Sequence, residues 1–377
     1  MTVCVTDYLL KADGSKFEGV SHRYSMKSTF GCEAQLLNYG ALIEKLFVPD
    51  TNGQLADVML GLKDLDHYMA SGANHGSVVG RSANRIQGAK FKIGDTEYKV
   101  PDNDSGNNLH GGNPSFQNVF WDGKVISKEE ADKMIEDSKI EGIAKADGDA
   151  VLFTYTSPDG SCGFPGNLES AVLYAWLTDR TLLILYKGCS DKDTIFAPTN
   201  HAYFNLRGHN SGSVKDLSLM IDADNVTIKG ESNCPEGDIM PVEGTIFDFR
   251  EPDLIEKALT TEDPQTCNSL GIDQNFCLNN PKTSSKYAFA ACLADTITGR
   301  IMEVYTDLPG LQIYCGNHLH FGAPSNEQKG DTPYVQYGGI CLEAQMYPNA
   351  VNVPSFESPI IKAGEVKYHA CGYRFNC

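Results

Sequence analysis

Apolar positions in this chain come in short runs broken by turn residues, and the commonest period is two. The stretch "TNHAYFNLRGH", residues 199–209, shows the pattern: in extended chain His201, Tyr203 and Asn205 point one way, and Ala202, Phe204 and Leu206 point the other. Upstream, "AQLLNYGALIEKLFVP" and "LADVMLGL" flank the polar turn "DTNGQ" and read as strand, turn and strand. Downstream, "VLFTYTS", "LESAVLYAWLT", "TLLILYKGC", "FAACLAD", "IMEVYT", "LQIYCG" and "YGGICLEA" repeat the theme at intervals typical of packed antiparallel sheets. One segment differs. "SKEEADKMIEDSKIEG", from Ser127 to Gly142, opens with the capping-box pair Ser127 and Glu130 and predicts a short surface helix whose mixed charges form a solvated face. No repeat of 20 to 50 residues and no Pro/Ser-rich linker divides the chain. The expectation is an all-β fold in a single domain over residues 1–377, with a charged surface insertion at about 122–150.

Composition narrows the partners. Lys plus Arg is 31 against 49 Asp plus Glu, and the net charge of -18 repels nucleic acid, anionic membrane and phosphorylated ligands alike. A neutral small molecule fits better, and neither a P-loop nor GxGxxG appears. The 12 cysteines are scattered without a CxxC, and "MTVCVTDYLLKADG" lacks both a basic n-region and a long apolar h-region. Free thiols in a cytoplasmic protein are therefore expected, which makes the sequons at Asn103 and Asn225 accidental. The longest apolar run, "TLLILY", is too short to span a bilayer.

Polar side chains among glycines and small residues mark where a polar ligand can approach the backbone. His201 is one, on the polar side of its alternating stretch. In "GRSANRIQGAKF" Arg81 and Arg85 have no acidic partner nearby in sequence, so Arg85 serves either a structural ion pair or a ligand. In "NNLHGG" His110 precedes two glycines, as a surface histidine or a site residue. Asp273 in "GIDQNFCL" either caps its own turn or faces a ligand, and Gln312 in "DLPGLQIYCGN" is either merely exposed or functional. Glu343 in "GGICLEAQMYPNAVN" lies opposite Ile340, Leu342 and Ala344 if extended, so it is at a rim or in a site with a raised pKa. His318 and His320 in "NHLH" share a strand face, but no third ligand has metal spacing, and no GxSxG supports a serine nucleophile.

Taken together in their order, "ANRI", "LHGG", "TNHAYF", "GIDQNF", "GLQIY" and "CLEAQ", with the tail "PNAVN" and "AGEVKYH", resemble the aldose 1-epimerases, most closely the animal-type galactose mutarotases. The resemblance runs from about residue 10 to the end. It implies a large antiparallel β-sandwich, the galactose mutarotase-like supersandwich, with a cleft across a concave sheet and no metal or cofactor. By the same resemblance His201 is the general acid, Glu343 the general base, and Asn84, Arg85, His110, Asp273 and Gln312 bind the sugar. The implied substrate is a neutral hexose, D-galactose with D-glucose beside it, and the implied assembly is a monomer or weak homodimer.

Bottom-up chemistry agrees with those roles. Opening a cyclic hemiacetal requires taking the C1 hydroxyl proton while protonating the ring oxygen, and each placed acid or base contributes roughly 10²- to 10⁴-fold. That direction needs His201 charged and Glu343 ionised. Ordinary values of about 6.5 and about 4.3 leave an isolated histidine mostly neutral, so a neighbouring carboxylate, Asp273 or Glu343, is expected to raise it and to shape a bell-shaped pH profile within about pH 5 to 9. Aromatics such as Phe204 or Tyr314 are expected as walls. Gln274 and Ala344 depart from the family pattern, where histidine and threonine are usual, and bear on sugar preference. Two other functions compete: a non-catalytic sugar-binding or regulatory protein, which has no need of an acid opposite a base, and a hexose-6-phosphate 1-epimerase, which wants a basic cluster.

Overall fold

The computed structural model describes residues 2–7, 21–279, 285–319 and 328–376. Three large sheets dominate them, and the strand pairs that build these sheets are antiparallel. A nine-stranded sheet runs in the order Asp122–Ile126, Ala150–Ser157, Leu168–Trp176, Thr181–Ser190, Val366–Asn376, Ile301–Thr306, Ala288–Ala294, Ser218–Ile221 and Asp253–Leu254. A five-stranded sheet uses the amino-terminal strands from Val3–Asp7 to Leu55–Asp57. A second five-stranded sheet carries, side by side, Asp273–Cys277, Gly310–Tyr314 and Cys341–Gln345.

The inner faces of all three sheets meet in one core, to which the first contributes Trp176 and Leu182, the second Met26 and Leu36, and the third Leu311 and Leu342. The segment "TLLILY" is apolar at successive positions because its strand is covered on both faces. Leu182, Ile184 and Tyr186 belong to that main core, while Leu183 and Leu185 belong to a second cluster on the reverse face.

That second cluster revises the reading of the charged segment. Residues 122–126 are the edge strand of the large sheet, and the helix Lys128–Ser138 buries Ala131 and Ile135 in the cluster on its reverse face. Only the rest of the helix is a charged, solvated surface. Burying an isoleucine contributes about 1.5–3 kcal/mol, which is how so charged a segment is held in place. Its start is the predicted one: Ser127 Oγ accepts from the Glu130 N–H at 3.2 Å, and Glu130 Oε2 accepts from the Ser127 N–H at 2.9 Å. No helix among the described residues is long and apolar enough to cross a membrane.

Candidate active site

The strands Asp273–Cys277, Gly310–Tyr314 and Cys341–Gln345 build the floor of a cleft. Their register sets Asn275 opposite Gln312 and Gln312 opposite Glu343, then Asp273 opposite Tyr314 and Tyr314 opposite Cys341. Partners directly across a ladder share a face, so the period of two collects every one of these polar groups on one side. Phe276, Leu311, Ile313, Leu342 and Ala344 fall on the other side, in the main core. Gln274 falls there too, fully buried, with its amide donating to the Thr227 carbonyl. The two departures at Gln274 and Ala344 therefore face away from the cleft floor, and the expectation that they bear on sugar preference has no contact to act through.

Loops supply the walls. Asn84 and His110 both adopt left-handed backbone, at φ 55° and 54°, a conformation that costs a non-glycine residue energy and recurs at functional sites. They hold each other: the His110 N–H donates to the Asn84 carbonyl at 3.0 Å, and the Asn84 N–H donates to His110 Nδ1 at 3.2 Å. Nδ1 is thus an acceptor, so the neutral ring carries its hydrogen on Nε2. The glycine after His110 is obligatory, because a Cβ on Gly111 would lie 2.5 Å from the Gly80 carbonyl oxygen.

The two arginines of "GRSANRI" divide. Arg81 is buried in the protein, where its guanidinium donates to the carbonyls of Ser157, Pro158, Pro165 and Gly166 at 2.7–2.9 Å and burial pushes its pKa down to about 10. Arg85 combines both of its readings. Its Nε donates to Asp104 Oδ2 at 2.6 Å, its Nη1 lies 3.9 Å from Asp273 Oδ2, and it lines the cleft. Gln312 Nε2 completes the chain by donating to Asp273 Oδ1 at 2.6 Å.

All seven residues singled out from the sequence, Asn84, Arg85, His110, His201, Asp273, Gln312 and Glu343, line one cavity of about 900 Å³. At its floor His201 Nε2 lies 3.7 Å from Glu343 Oε1, with the two side chains only 8% and 3% exposed. The main chain places His201 by donating from its N–H to the Ser77 carbonyl at 2.9 Å. Tyr203 and Tyr314 stand beside the ring, at centroid distances of 4.9 and 6.3 Å. Phe204, expected as a possible wall, instead packs in the core against Tyr373. His318 lines the cavity, while His320 lies outside the described residues.

Protonation differs from the expectation. Burial pushes the His201 imidazole down to about 4, and its own carbonyl and Asp273 offset this only in part. Burial, reinforced by the charge of Asp273, pushes the Glu343 carboxyl well above its ordinary range. The carboxylate neighbour is present, but desolvation of two buried charges outweighs it. Both shifts favour the uncharged forms, an imidazole beside a carboxylic acid, over the ion pair.

Several residues in or against the cleft have no role assigned from the sequence. Asp104 lies in a loop 19 residues beyond Arg85, a separation that only folding closes. Cys341 and Tyr203 carried a usable signal, since each is two residues from a catalytic candidate on the same face of an extended stretch. His75 carried none; it lines the cavity and packs against Tyr203 at 4.8 Å. Among the described residues one group, His201, Cys341 and Glu343, brings three potential metal ligands within 4.8 Å of one another. Within it Nδ1 of the ring lies 3.5 Å from the thiol and Nε2 lies 3.7 Å from the carboxyl.

Comparison with known proteins gives consistent results. The sequence model of the family described as aldose 1-epimerase matches residues 22–374. Galactose mutarotase of Rattus norvegicus is 35% identical over 358 residues, covering 95% of this chain and 95% of the rat protein. Aldose 1-epimerase of Escherichia coli strain K12 is 30% identical over 353 residues, covering 93% of this chain and 94% of its own. The crystal structure of galactose 1-epimerase from Lactobacillus acidophilus NCFM superimposes with a TM-score of 0.78 at 27% identity, covering 100% of this chain and 98% of the other.

Proposed function

This chain belongs to the aldose 1-epimerase family and is an aldose 1-epimerase, and we propose that it interconverts the α and β anomers of D-galactose, and of D-glucose, with His201 as acid and Glu343 as base. The observation that carries the assignment is the buried His201–Glu343 pair at 3.7 Å, on the floor of a cleft walled by groups that hydrogen-bond hydroxyls. Arg85, Asp273 and Gln312 form a connected set that offers donors and acceptors together, as a polyol requires, and His110 adds an Nε2–H donor. We take residues 1–377 as one domain, supported by a core cluster that runs from Val3 to Phe375.

The chemistry moves two protons and nothing else. Glu343 takes the proton of the C1 hydroxyl while His201 delivers one to the ring oxygen. The C1–ring-oxygen bond breaks, the aldehyde turns about C1–C2, and reclosure on its other face reverses both transfers. Opening starts from imidazolium and carboxylate and ends at imidazole and carboxylic acid. These are the two arrangements of the same single proton, and burial favours the second, which is the one the open-chain aldehyde meets. Sugar hydroxyls that solvate the charged arrangement bring the two close in energy, which suits a reaction run in both directions.

The hexose-6-phosphate alternative fares poorly. Among the described lining residues Arg85 is the one lysine or arginine, facing Asp66, Asp104, Asp273 and Glu343. Polarimetry on freshly dissolved α-D-galactose and α-D-glucose is the test. Wild type is expected to speed equilibration, and His201→Asn and Glu343→Gln to lose that effect. Folded wild type that accelerates neither sugar would overturn the substrate assignment.

A further inference from the structure

Cys341 lies on the cleft face of its strand, two residues before Glu343, and is fully buried. Its Sγ is 3.5 Å from His201 Nδ1, within reach of a hydrogen bond to sulfur, while the other ring nitrogen faces Glu343. One strand therefore presents to both ends of the same imidazole. The remaining groups about the ring are His110 and Tyr203 at its sides, Tyr314 across the ladder, and the more distant Asp273 and His75. Among the described side chains Cys341 is the hydrogen-bond partner of Nδ1.

We infer that Cys341 is a positioning residue for the epimerisation, whose sulfur accepts from Nδ1–H in both charge states of His201, so that Nε2 is the nitrogen that gives its proton to the sugar and takes it back. The inference rests on the reading of His201 as the acid. A thiol suits this position because its sulfur is a weak acceptor, which holds the Nδ1 hydrogen without fixing the ring as imidazolium. A carboxylate there would hold the imidazolium and oppose delivery of its proton, and a methyl group would leave the Nδ1 hydrogen without a side-chain acceptor. Burial pushes the Cys341 thiol well above its ordinary range, so the S–H is retained.

The test compares wild type, Cys341→Ala, Cys341→Ser and His201→Asn by polarimetry on α-D-galactose, with ¹⁵N NMR of the His201 ring. Cys341→Ala is expected to lower kcat about tenfold with KM within about twofold, the worth of one neutral hydrogen bond felt by the reacting ring. Serine, which both donates and accepts, is expected to restore kcat to within about threefold of wild type. The ¹⁵N signals should show hydrogen on Nδ1 in neutral wild type and a tautomer mixture in Cys341→Ala. If the alanine variant does not fold, Cys341→Val fills the volume without the hydrogen bond and takes its place. An alanine or valine variant with wild-type kcat, a serine variant as slow as alanine, or an Nε2–H tautomer in neutral wild type would each overturn the inference. Retained activity in His201→Asn would instead overturn the assignment of the acid.

Discussion

The strands Thr181–Ser190 and Cys341–Gln345 are both completely or nearly completely buried, yet one only packs while the other also presents Glu343, the proposed base, to the cleft. In the first, alternate residues enter two apolar clusters, one on each face, and the helix Lys128–Ser138 helps close the outer one. In the second, Leu342 and Ala344 enter the core, while on the other face Glu343 lines the cleft and Cys341 lies buried behind the His201 ring. Burial alone does not distinguish a stabilising strand from a catalytic one; what covers its second face does. Apolar cover gives stability. A polar cavity gives shifted pKa values, because charges there are desolvated without being neutralised.

The sharpest way to break this comparison is to remove the cleft groups. His201→Asn and Glu343→Gln are each expected to lower kcat by roughly 10²- to 10⁴-fold, and the double variant scarcely further, since the two act as a unit. Glu343→Gln should leave Tm unchanged or raise it, because it removes a buried ionisable group. Polarimetry and calorimetry on the same samples check both.

The arginine pair transfers the contrast to one motif. Arg81→Met should cost about 3–5 kcal/mol of stability, since it strands buried carbonyls, and leave kcat/KM of the folded protein unchanged. Arg85→Met should do the reverse, raising KM for galactose with a small change in Tm. Urea unfolding and steady-state kinetics separate them, and equal effects from the two variants would erase the distinction. On the packing side, Leu183→Ala is expected to cost about 2–5 kcal/mol by urea unfolding with no change in kcat/KM.

The smallest effects are in pH. His75 and His201 are pushed from 6.5 down to about 3 and about 4, so between those values and 6.5 the unfolded chain binds more protons than the folded one. Stability therefore falls as pH drops through that window. Glu343 acts with the opposite sign: its raised carboxyl is protonated when folded and ionised when unfolded above 4.5, so its contribution is lost as pH rises. Tm measured against pH should keep its acid decline in Glu343→Gln and lose part of its alkaline decline. Activity should follow the same groups, with kcat/KM declining on the acid side near pH 4, where His201 brings a second proton to the pair, rather than near 6.5. An acid limb near 6.5 would mean that the sugar-free cleft is wetter than its burial implies.

The period of two was enough to read strands, the sides that Ala202, Phe204 and Leu206 would pack on, and the capped helix after Ser127, because these depend on neighbours within a few residues. The ordered motifs were enough for the family. Local pattern could not tell Arg81 from Arg85, since the same guanidinium chemistry serves a cage of carbonyls or a cleft, and the difference lies in segments 76 and 19 residues away. Nor could it tell that "TLLILY" is covered twice, that Phe204 turns from the sugar, or that Cys341 meets the ring of His201 140 residues distant. The direction of the pKa shift at His201 belonged wholly to the tertiary structure, as did the choice between a rim position and a raised pKa for Glu343. A charge's cost depends on the solvent it loses, and solvent is excluded only when separate sheets and loops close over the pair.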